Sequence, residues 1–297
     1  SNPPSAPQTA ATEEFNTGVA VGAWVTGGAL NVPRSEHAGS GTQTAALSFG
    51  GRNPVEGQTE TYNGTAWTSV NNMNNARAQL MGSGTQTSTL ASGGEPALTV
   101  TETWNGTNWT EVSDLNTGKY ASGAAGVSNT SSLVFGGRTP PYTTTTESWD
   151  GSSWTEVNDM NTARGYLGGT GTKTAALAFA GRIAPGAAIS PAVTELWNGT
   201  NWTEVNDMNT VRRTLAGAGV TTSALAFGGT NGSKTGATEA WNGSSWTTVG
   251  TMNIARNLFG GGAGANNTSA LAFGGPPATT ATEEWTDPGI ITKTLTT

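Results

Sequence analysis

Residues 101–112 read TETWNGTNWTEV, and closely similar stretches recur along the chain. Good copies begin at Thr59, Thr146, Thr194 and Thr238, and degenerate copies begin at Thr12 and Thr282. The glutamate of the motif stands at 13, 60, 102, 147, 195, 239 and 283, so successive copies are 42 to 48 residues apart. A constant period of this length indicates one supersecondary unit that is repeated along the whole chain.

Two further elements complete the unit. A segment such as TAALSFGG at 44–51 or SALAFGG ending at Gly229 occurs six times, and a segment such as NDMNTAR ending at Arg164 lies between it and the preceding motif. The short stretch after the arginine, LAGAGV at 215–220, consists of small residues and suits a crowded innermost strand. In the next segment Leu225 and Phe227 share one face by the two-residue period of a strand. Each unit therefore contains four strand signals.

The TETWNGTNWT segment is predicted to be a hairpin. Asn105-Gly106 is a strong signal for a two-residue type I′ turn, because both positions of that turn need positive φ. A two-residue loop would place Glu102 opposite Trp109, with Trp104 on the same face.

Four antiparallel strands repeated at this period predict an all-β fold, a six-bladed or alternatively seven-bladed β-propeller of four-stranded antiparallel blades. Residues 12–297 are interpreted as this single domain, preceded by an N-terminal extension over 1–11. The inner strand pair occurs six times but the Glu-Trp hairpin seven times, so residues 12–34 form a surplus half-blade. This half-blade either completes the last blade and displaces the C-terminal tail, or pads an edge or docks on another copy.

The order of arginine, two strands closed by Gly-Gly, glutamate, an aromatic residue and tryptophan resembles the kelch repeat over nearly the whole chain. The chain departs from that pattern at Lys119, which replaces the arginine, and at Ala180-Gly181, which replaces Gly-Gly. The Thr- and Asn-rich form, with TESWDGSSWTEVNDMNTAR at 146–164, also resembles repeat proteins of phages and marine bacteria.

The composition excludes several classes of function. A net charge of −7 with scattered Lys and Arg argues against nucleic acid as a partner. No apolar run approaches the length of a membrane span, and SNPPSAPQTA at 1–10 has neither the basic start nor the apolar stretch of a secretory signal. The chain has no cysteine, so disulfides, thiolate chemistry and Cys-ligated zinc are excluded. No cofactor and no metal are expected.

Residues that appear once in every unit are predicted to serve the fold. Burial of the repeated glutamates and arginines would be offset by charge-assisted hydrogen bonds between them, and the tryptophans would be core. These structural residues are Glu60, Glu102, Glu147, Glu195, Glu239, Trp67, Trp109, Trp154, Trp202, Trp246, Arg77, Arg164, Arg212 and Arg256.

Strand alternation places the Gly-Gly-to-Glu loops and the Asn-Arg loops on one face. These loops vary between units, and variable loops on a rigid scaffold commonly carry function. Arg52, Arg138 and Arg182 each follow a glycine turn there, and Tyr142 looks like an exposed aromatic, so these four are the candidate binding residues.

Catalytic residues are not predicted. His37, the only histidine, is expected to be a solvated loop residue. It cannot form a multi-histidine metal site, and no GxSxG elbow supports a Ser-His-Asp arrangement. Glycosidase chemistry needs two non-equivalent carboxylates, and Glu36, Glu56 and Glu95 are the acids that stand outside the repeat.

The leading hypothesis is therefore a non-enzymatic structural or interaction protein. It would be a phage fibre or capsid-associated component, or an extracellular assembly subunit, that binds other protein chains or copies of itself through the terminal half-blade. One alternative is a lectin-like module that binds cell-surface glycan, and the other is a sugar-processing enzyme. The expected location is extracellular or on a virion surface.

Overall fold

The computed structural model describes residues 22–52, 55–183, 191–257 and 262–287. Within these residues there are 24 strands and no helices, arranged as six four-stranded antiparallel sheets. The sheets are the blades of a β-propeller, so the six-bladed form of the prediction is confirmed. The extension over 1–11, the motif copy at Thr12 and the tail 288–297 lie outside the described residues.

The strands follow one another in chain order. Blade 1 has β2 (Ala38–Thr42), β3 (Ala45–Phe49), β4 (Thr59–Tyr62) and β5 (Trp67–Val70); blade 2 has β6 (Met81–Thr85), β7 (Ser88–Ser92), β8 (Thr101–Trp104) and β9 (Trp109–Val112); blade 3 has β10 (Gly123–Ser128), β11 (Ser131–Phe135), β12 (Thr146–Trp149) and β13 (Trp154–Val157). Blade 4 has β14 (Gly168–Thr172), β15 (Ala175–Phe179), β16 (Thr194–Trp197) and β17 (Trp202–Val205); blade 5 has β18 (Ala216–Val220), β19 (Ser223–Phe227), β20 (Thr238–Trp241) and β21 (Trp246–Val249); blade 6 has β22 (Gly262–Asn266), β23 (Ser269–Phe273), β24 (Thr282–Thr286) and, from the other end of the chain, β1 (Ala23–Thr26).

The first strand of each blade lies at the axis and contacts the first strands of both neighbouring blades. The chain then runs outward, so the connections fall on two faces. We call the face with the Gly-Gly-to-Glu loops and the links between blades the loop face, and the face with the Asn-Gly and Gln-Thr turns the turn face. The small-residue strands are innermost, as the sequence predicts.

The ring is closed by strands from both ends of the chain. Strand β1 pairs antiparallel with β24, with Trp24 opposite Trp285, and so supplies the outermost strand of blade 6. The Nδ2 of Asn253 donates to the carbonyl of Trp24 at 2.8 Å, which ties β1 to the link from blade 5. The described part of residues 12–34 therefore pairs with a strand of its own chain. Two copies could assemble through β1 only if each chain placed its β1 in blade 6 of the other.

The core is divided among the interfaces between neighbouring blades. Between blades 1 and 2, Leu47 and Phe49 pack against Leu80, Trp104 and Trp109. The outer-strand tryptophan of each blade also reaches back to the preceding blade, where its indole N–H donates to the threonine at the start of the third strand. These pairs are Trp67–Thr282, Trp109–Thr59, Trp154–Thr101, Trp202–Thr146, Trp246–Thr194 and Trp24–Thr238, all at 3.0 to 3.1 Å.

The pairing of small and large residues fills each interface. Gly168 stands opposite Phe179, and a Cβ on Gly168 would lie 2.2 Å from the ring. Blade 2 reverses the sizes, with Met81 opposite Ser92. Met81 joins the apolar cluster between blades 2 and 3, so an exchange across the strand pair preserves the core volume.

The hairpin register differs from the predicted one. Glu102 stands opposite Glu111, and Trp104 stands opposite Trp109, so the loop has four residues rather than two. Only Gly106 of the Asn-Gly pair has positive φ, at +92°. The Oδ1 of Asn105 accepts hydrogen bonds from the backbone N–H groups of Thr107 and Asn108, and this side-chain turn replaces the type I′ turn.

The prediction of a solvated His37 is wrong. His37 is 1% exposed and lies where blades 4 and 5 have Leu167 and Leu215. Its ring packs on Phe273 of blade 6, with centroids 5.5 Å apart. Burial, with the positive charges of Arg34 and Arg256, lowers the pKa of His37 to about 3, so the ring is neutral at physiological pH.

Trp24→Ala should show how much β1 stabilises the ring. Loss of this buried side chain is expected to lower the free energy of unfolding by about 3–5 kcal/mol, and Trp24→Phe, which loses mainly the hydrogen bond to Thr238, by about 1–2 kcal/mol. Val25→Ala is the matched control because Val25 is 53% exposed on the same strand. Urea unfolding measures these differences, and equal stabilities for Trp24→Ala and Val25→Ala would contradict the closure.

His37→Leu should make the protein less sensitive to acid. The folded-state pKa lies below the unfolded value, so the unfolded chain binds an extra proton between about pH 6.5 and 3. Because of His37, the free energy of unfolding therefore falls by up to about 1.4 kcal/mol for each unit by which the pH is lowered within that range. Between pH 7 and pH 4 the variant should lose less stability than the wild type, by about 3 kcal/mol.

Leu167→His, at the same position of blade 4, should add a comparable acid sensitivity. Chemical unfolding at several pH values tests both variants, and parallel stability curves for wild type and His37→Leu would overturn the assignment.

Candidate binding surface on the loop face

The repeated glutamate is the centre of a hydrogen-bond cluster in every blade. In blade 2, Glu102 is fully buried and accepts from the backbone N–H groups of Asn74 and Asn75, from the Asn74 side chain and from Arg77, at 2.5 to 3.2 Å. Asn74, Asn75 and Arg77 lie in the link that arrives from blade 1. The carboxylate therefore attaches the link to the blade that follows.

The same ion pair recurs around the ring. The pairs are Arg34–Glu60, Arg77–Glu102, Lys119–Glu147, Arg164–Glu195, Arg212–Glu239 and Arg256–Glu283, with N–O distances of 2.5 to 3.1 Å. Burial lowers the pKa of Arg164 and of Arg212 to about 10, and it lowers the pKa of Lys119 in the same direction. The negative charge of each paired glutamate acts in the opposite direction and favours the charged form of its cation.

One member of the cluster was missed in the sequence analysis. The asparagine that stands three residues before the repeated cation donates its backbone N–H to the glutamate, as Asn161 does to Glu195. Its Nδ2 also donates to the carbonyl of the outer-strand tryptophan, as in Asn161–Trp202 at 3.1 Å. Its recurrence three residues before each arginine or lysine, at 31, 74, 116, 161, 209 and 253, was the available signal.

A collar of backbone hydrogen bonds runs along the axis side of the loop face from blade 1 to blade 5. Its members stand two residues after the buried cation and have positive φ between +52° and +59°, although none is glycine; they are Glu36, Gln79, Ala121, Tyr166 and Thr214. Each N–H from Gln79 onward donates to the carbonyl of the member before it, at 2.7 to 3.1 Å. The side chains of these residues differ in chemistry, and Ala121, Tyr166 and Thr214 line the axial cavity toward the loop face.

The blade 1–2 part of the loop face is an ion-pair network. Arg52, a candidate binding residue, forms ion pairs with both Glu36 and Glu95. The structure therefore unites two of the three acids that stand outside the repeat, and both form ion pairs with the same guanidinium. Glu56 is 9% exposed, and burial raises its pKa.

The blade 3–5 part contains the other candidates and three of the four tyrosines. The Arg138 guanidinium lies over the rings of Tyr120 and Tyr142, at 5.3 and 5.6 Å from their centroids, and donates to the Tyr166 hydroxyl at 3.4 Å. Tyr142 is 9% exposed, so the expectation of an exposed aromatic is wrong. The reason is that the Arg138 backbone pairs with both Tyr120 and Tyr142 and brings its side chain over their rings.

Positive charge concentrates around Tyr142. Burial raises the pKa of Tyr142, while Arg182, Arg138 and Arg213 act in the opposite direction. The hydrogen bond to Tyr166, and after it the nearby tyrosines, raise the pKa of Arg138. We call Tyr120, Arg138, Tyr142, Tyr166, Arg182 and Arg213 the Tyr-Arg sector. It unites three candidate residues, Arg138, Tyr142 and Arg182, and leaves Arg52 on another part of the face.

The axis contains two cavities. The one toward the loop face has a volume of about 90 Å³, and Tyr166, Thr214 and Ser122 are among its lining residues. The one toward the turn face has a volume of about 290 Å³ and is lined by glycine, alanine, serine, threonine and valine. Among the described residues, no acidic or basic side chain lines either cavity, and the charged residues of the loop face lie around the axis.

Among residues 22–52, 55–183, 191–257 and 262–287 no group of three or more His, Asp or Glu side chains could hold a metal ion. In the same ranges, no helix has the length and apolar character needed to cross a membrane. No protein-family model and no curated protein sequence matches the chain.

Lys119→Met should be strongly destabilising. It would leave Glu147 buried without its cation, and removal of one partner from a buried pair costs about 3–5 kcal/mol. Lys119→Arg, which copies the other blades, should stay within about 1 kcal/mol of the wild type because it keeps the charge. Lys173→Met, in a turn, is the control. A Lys119→Met protein as stable as Lys173→Met in thermal unfolding would refute the role given to the pair.

Proposed function

We propose that this protein is a non-enzymatic structural and interaction protein, a kelch-like propeller that serves as a subunit of a virion or of another extracellular assembly. It presents the loop face to its partner and uses the rest of the fold as a rigid support. The alternative of a sugar-processing enzyme receives less support, because Glu36 and Glu95 share Arg52 and the described residues that line the axial cavities are uncharged.

The observation that carries this proposal is the division of charged residues between two roles. The repeated glutamates and their cations are buried in ion pairs that join link to blade. Several charges that differ from blade to blade, among them Arg52, Glu95 and Arg138, follow the glycine turns on the loop face. A scaffold with such a group of variable charges on one rim is suited to recognition, since loops on a rigid frame carry specificity.

Localisation in the native source tests the proposal. Antibodies raised against the recombinant propeller should label purified particles or extracellular assemblies, and proteomics should find the chain there at a constant ratio to the other subunits. A pool confined to the soluble interior of the cell would overturn the proposal.

Site-specific photo-crosslinking tests which face is used. A photoreactive residue in place of Asn231, exposed on the loop face, should crosslink to a neighbouring component of the assembly. The same residue in place of Thr107, exposed on the turn face, should crosslink much less. The reverse pattern would show that the turn face is the interaction surface.

A further inference from the structure

The geometry points to the Tyr-Arg sector as a binding site for a carboxylate-bearing sugar, a sialic or uronic acid residue of an acidic glycan. This inference rests on the proposed function, because it names the ligand class of the loop face. It is carried by the arrangement of Arg138 and its neighbours and by the contrast with the Arg52 network on the same face.

Arg138 is held in a defined position before any ligand arrives. The rings of Tyr120 and Tyr142 flank its guanidinium, and its backbone pairs with both tyrosines. Gly165 of blade 4 permits this packing, since a Cβ there would lie 2.9 Å from the Tyr142 ring and 3.2 Å from Arg138 Cγ. A planar guanidinium fixed in this way loses little entropy when it binds a carboxylate through two parallel hydrogen bonds.

Arg52 and Arg138, which both follow glycine turns on the loop face, differ in their charge environment. Arg52 forms ion pairs with Glu36 and Glu95, so its charge is already balanced. Arg138 contacts aromatic rings and a tyrosine hydroxyl instead, and Arg182 and Arg213 add positive charge close to Tyr142. On a chain of net charge −7, this sector is a local centre of positive potential that attracts an anionic group.

The surroundings favour a sugar over a peptide. Tyr120 and Tyr142 are less than 10% exposed, so their rings provide little of the apolar anchor area that peptide and protein partners usually need. The Tyr166 side chain is partly exposed and, with Thr214, lines a small cavity at the mouth of the axis. Hydroxyl groups around a guanidinium match a ligand that carries one carboxylate among several hydroxyls.

Calorimetric titration tests the inference with defined probes. The acidic probes are 3′-sialyllactose and digalacturonate, the neutral probe is lactose, and hexaglutamate represents an acidic peptide. We expect at least one acidic sugar to bind at millimolar or lower concentration, more tightly than lactose and hexaglutamate, and more weakly as salt is raised. Failure of both acidic sugars, or tighter binding of lactose or hexaglutamate, would overturn the inference.

Variants locate the site. Arg138→Gln should weaken binding of the acidic sugar by about tenfold or more, because a hydrogen-bonded charge is lost. Arg52→Gln, the matched control on the same face, should change it less than about twofold. Tyr142→Phe, which keeps the ring under Arg138, gives a second measurement if Arg138→Gln unfolds. Wild-type affinity in a folded Arg138→Gln protein, or an equal loss in Arg52→Gln, would overturn the inference.

The two proposals fail in different ways. If acidic sugars do not bind but a residue at 231 still crosslinks within the assembly, the ligand class is wrong and the interaction role stands. If acidic sugars bind but the chain is confined to the cell interior, the site is supported and the assembly role is wrong.

Discussion

The buried glutamate with its cation is the interaction on which the rest of this molecule depends. A carboxylate such as Glu102 would be very costly to bury alone, but here it accepts two backbone N–H groups, an asparagine side chain and an arginine. These donors all come from the link that precedes the blade. The same contacts that satisfy the charge therefore set where each blade stands relative to the previous one, and six repetitions produce a ring.

A ring of this kind also needs each blade to hold the one before it. The outer-strand tryptophan does so through an indole hydrogen bond to the preceding blade. In five of the six blades it also makes an edge or tilted contact with the phenylalanine of that preceding blade, as between Trp202 and Phe135. Closure repeats this pattern with Trp24 from the other end of the chain, which packs on Phe227. The four residues of β1 thus make the same kind of contacts in blade 6 that the outermost strand makes in blades 1 to 5, where that strand follows the third strand directly in the chain.

The loop face is free to vary because the fold does not use its side chains in the same way in every blade. At the collar, Glu36, Gln79 and Tyr166 share one backbone conformation and one hydrogen-bond pattern while their side chains differ. The backbone carries the structural role, so the side chain is available for another. This separation allows an acidic network and a cationic aromatic sector to coexist on one rim.

The repeat spacing, the alternation within strands and the return of Glu, Trp and Arg were sufficient to predict the blades, their innermost strands and the structural role of the ion pairs. These features are determined by the sequence alone because they are local or strictly periodic. The tertiary structure decided what depends on contacts between distant residues: that β1 pairs with β24, that His37 replaces a core leucine, and that Arg138 covers Tyr142. It also decided the hairpin register, since the Asn105 side chain rather than the Asn-Gly dipeptide forms the turn. Periodicity predicts which residues recur, but the burial of a residue that occurs once depends on neighbours that only the closed ring brings to it.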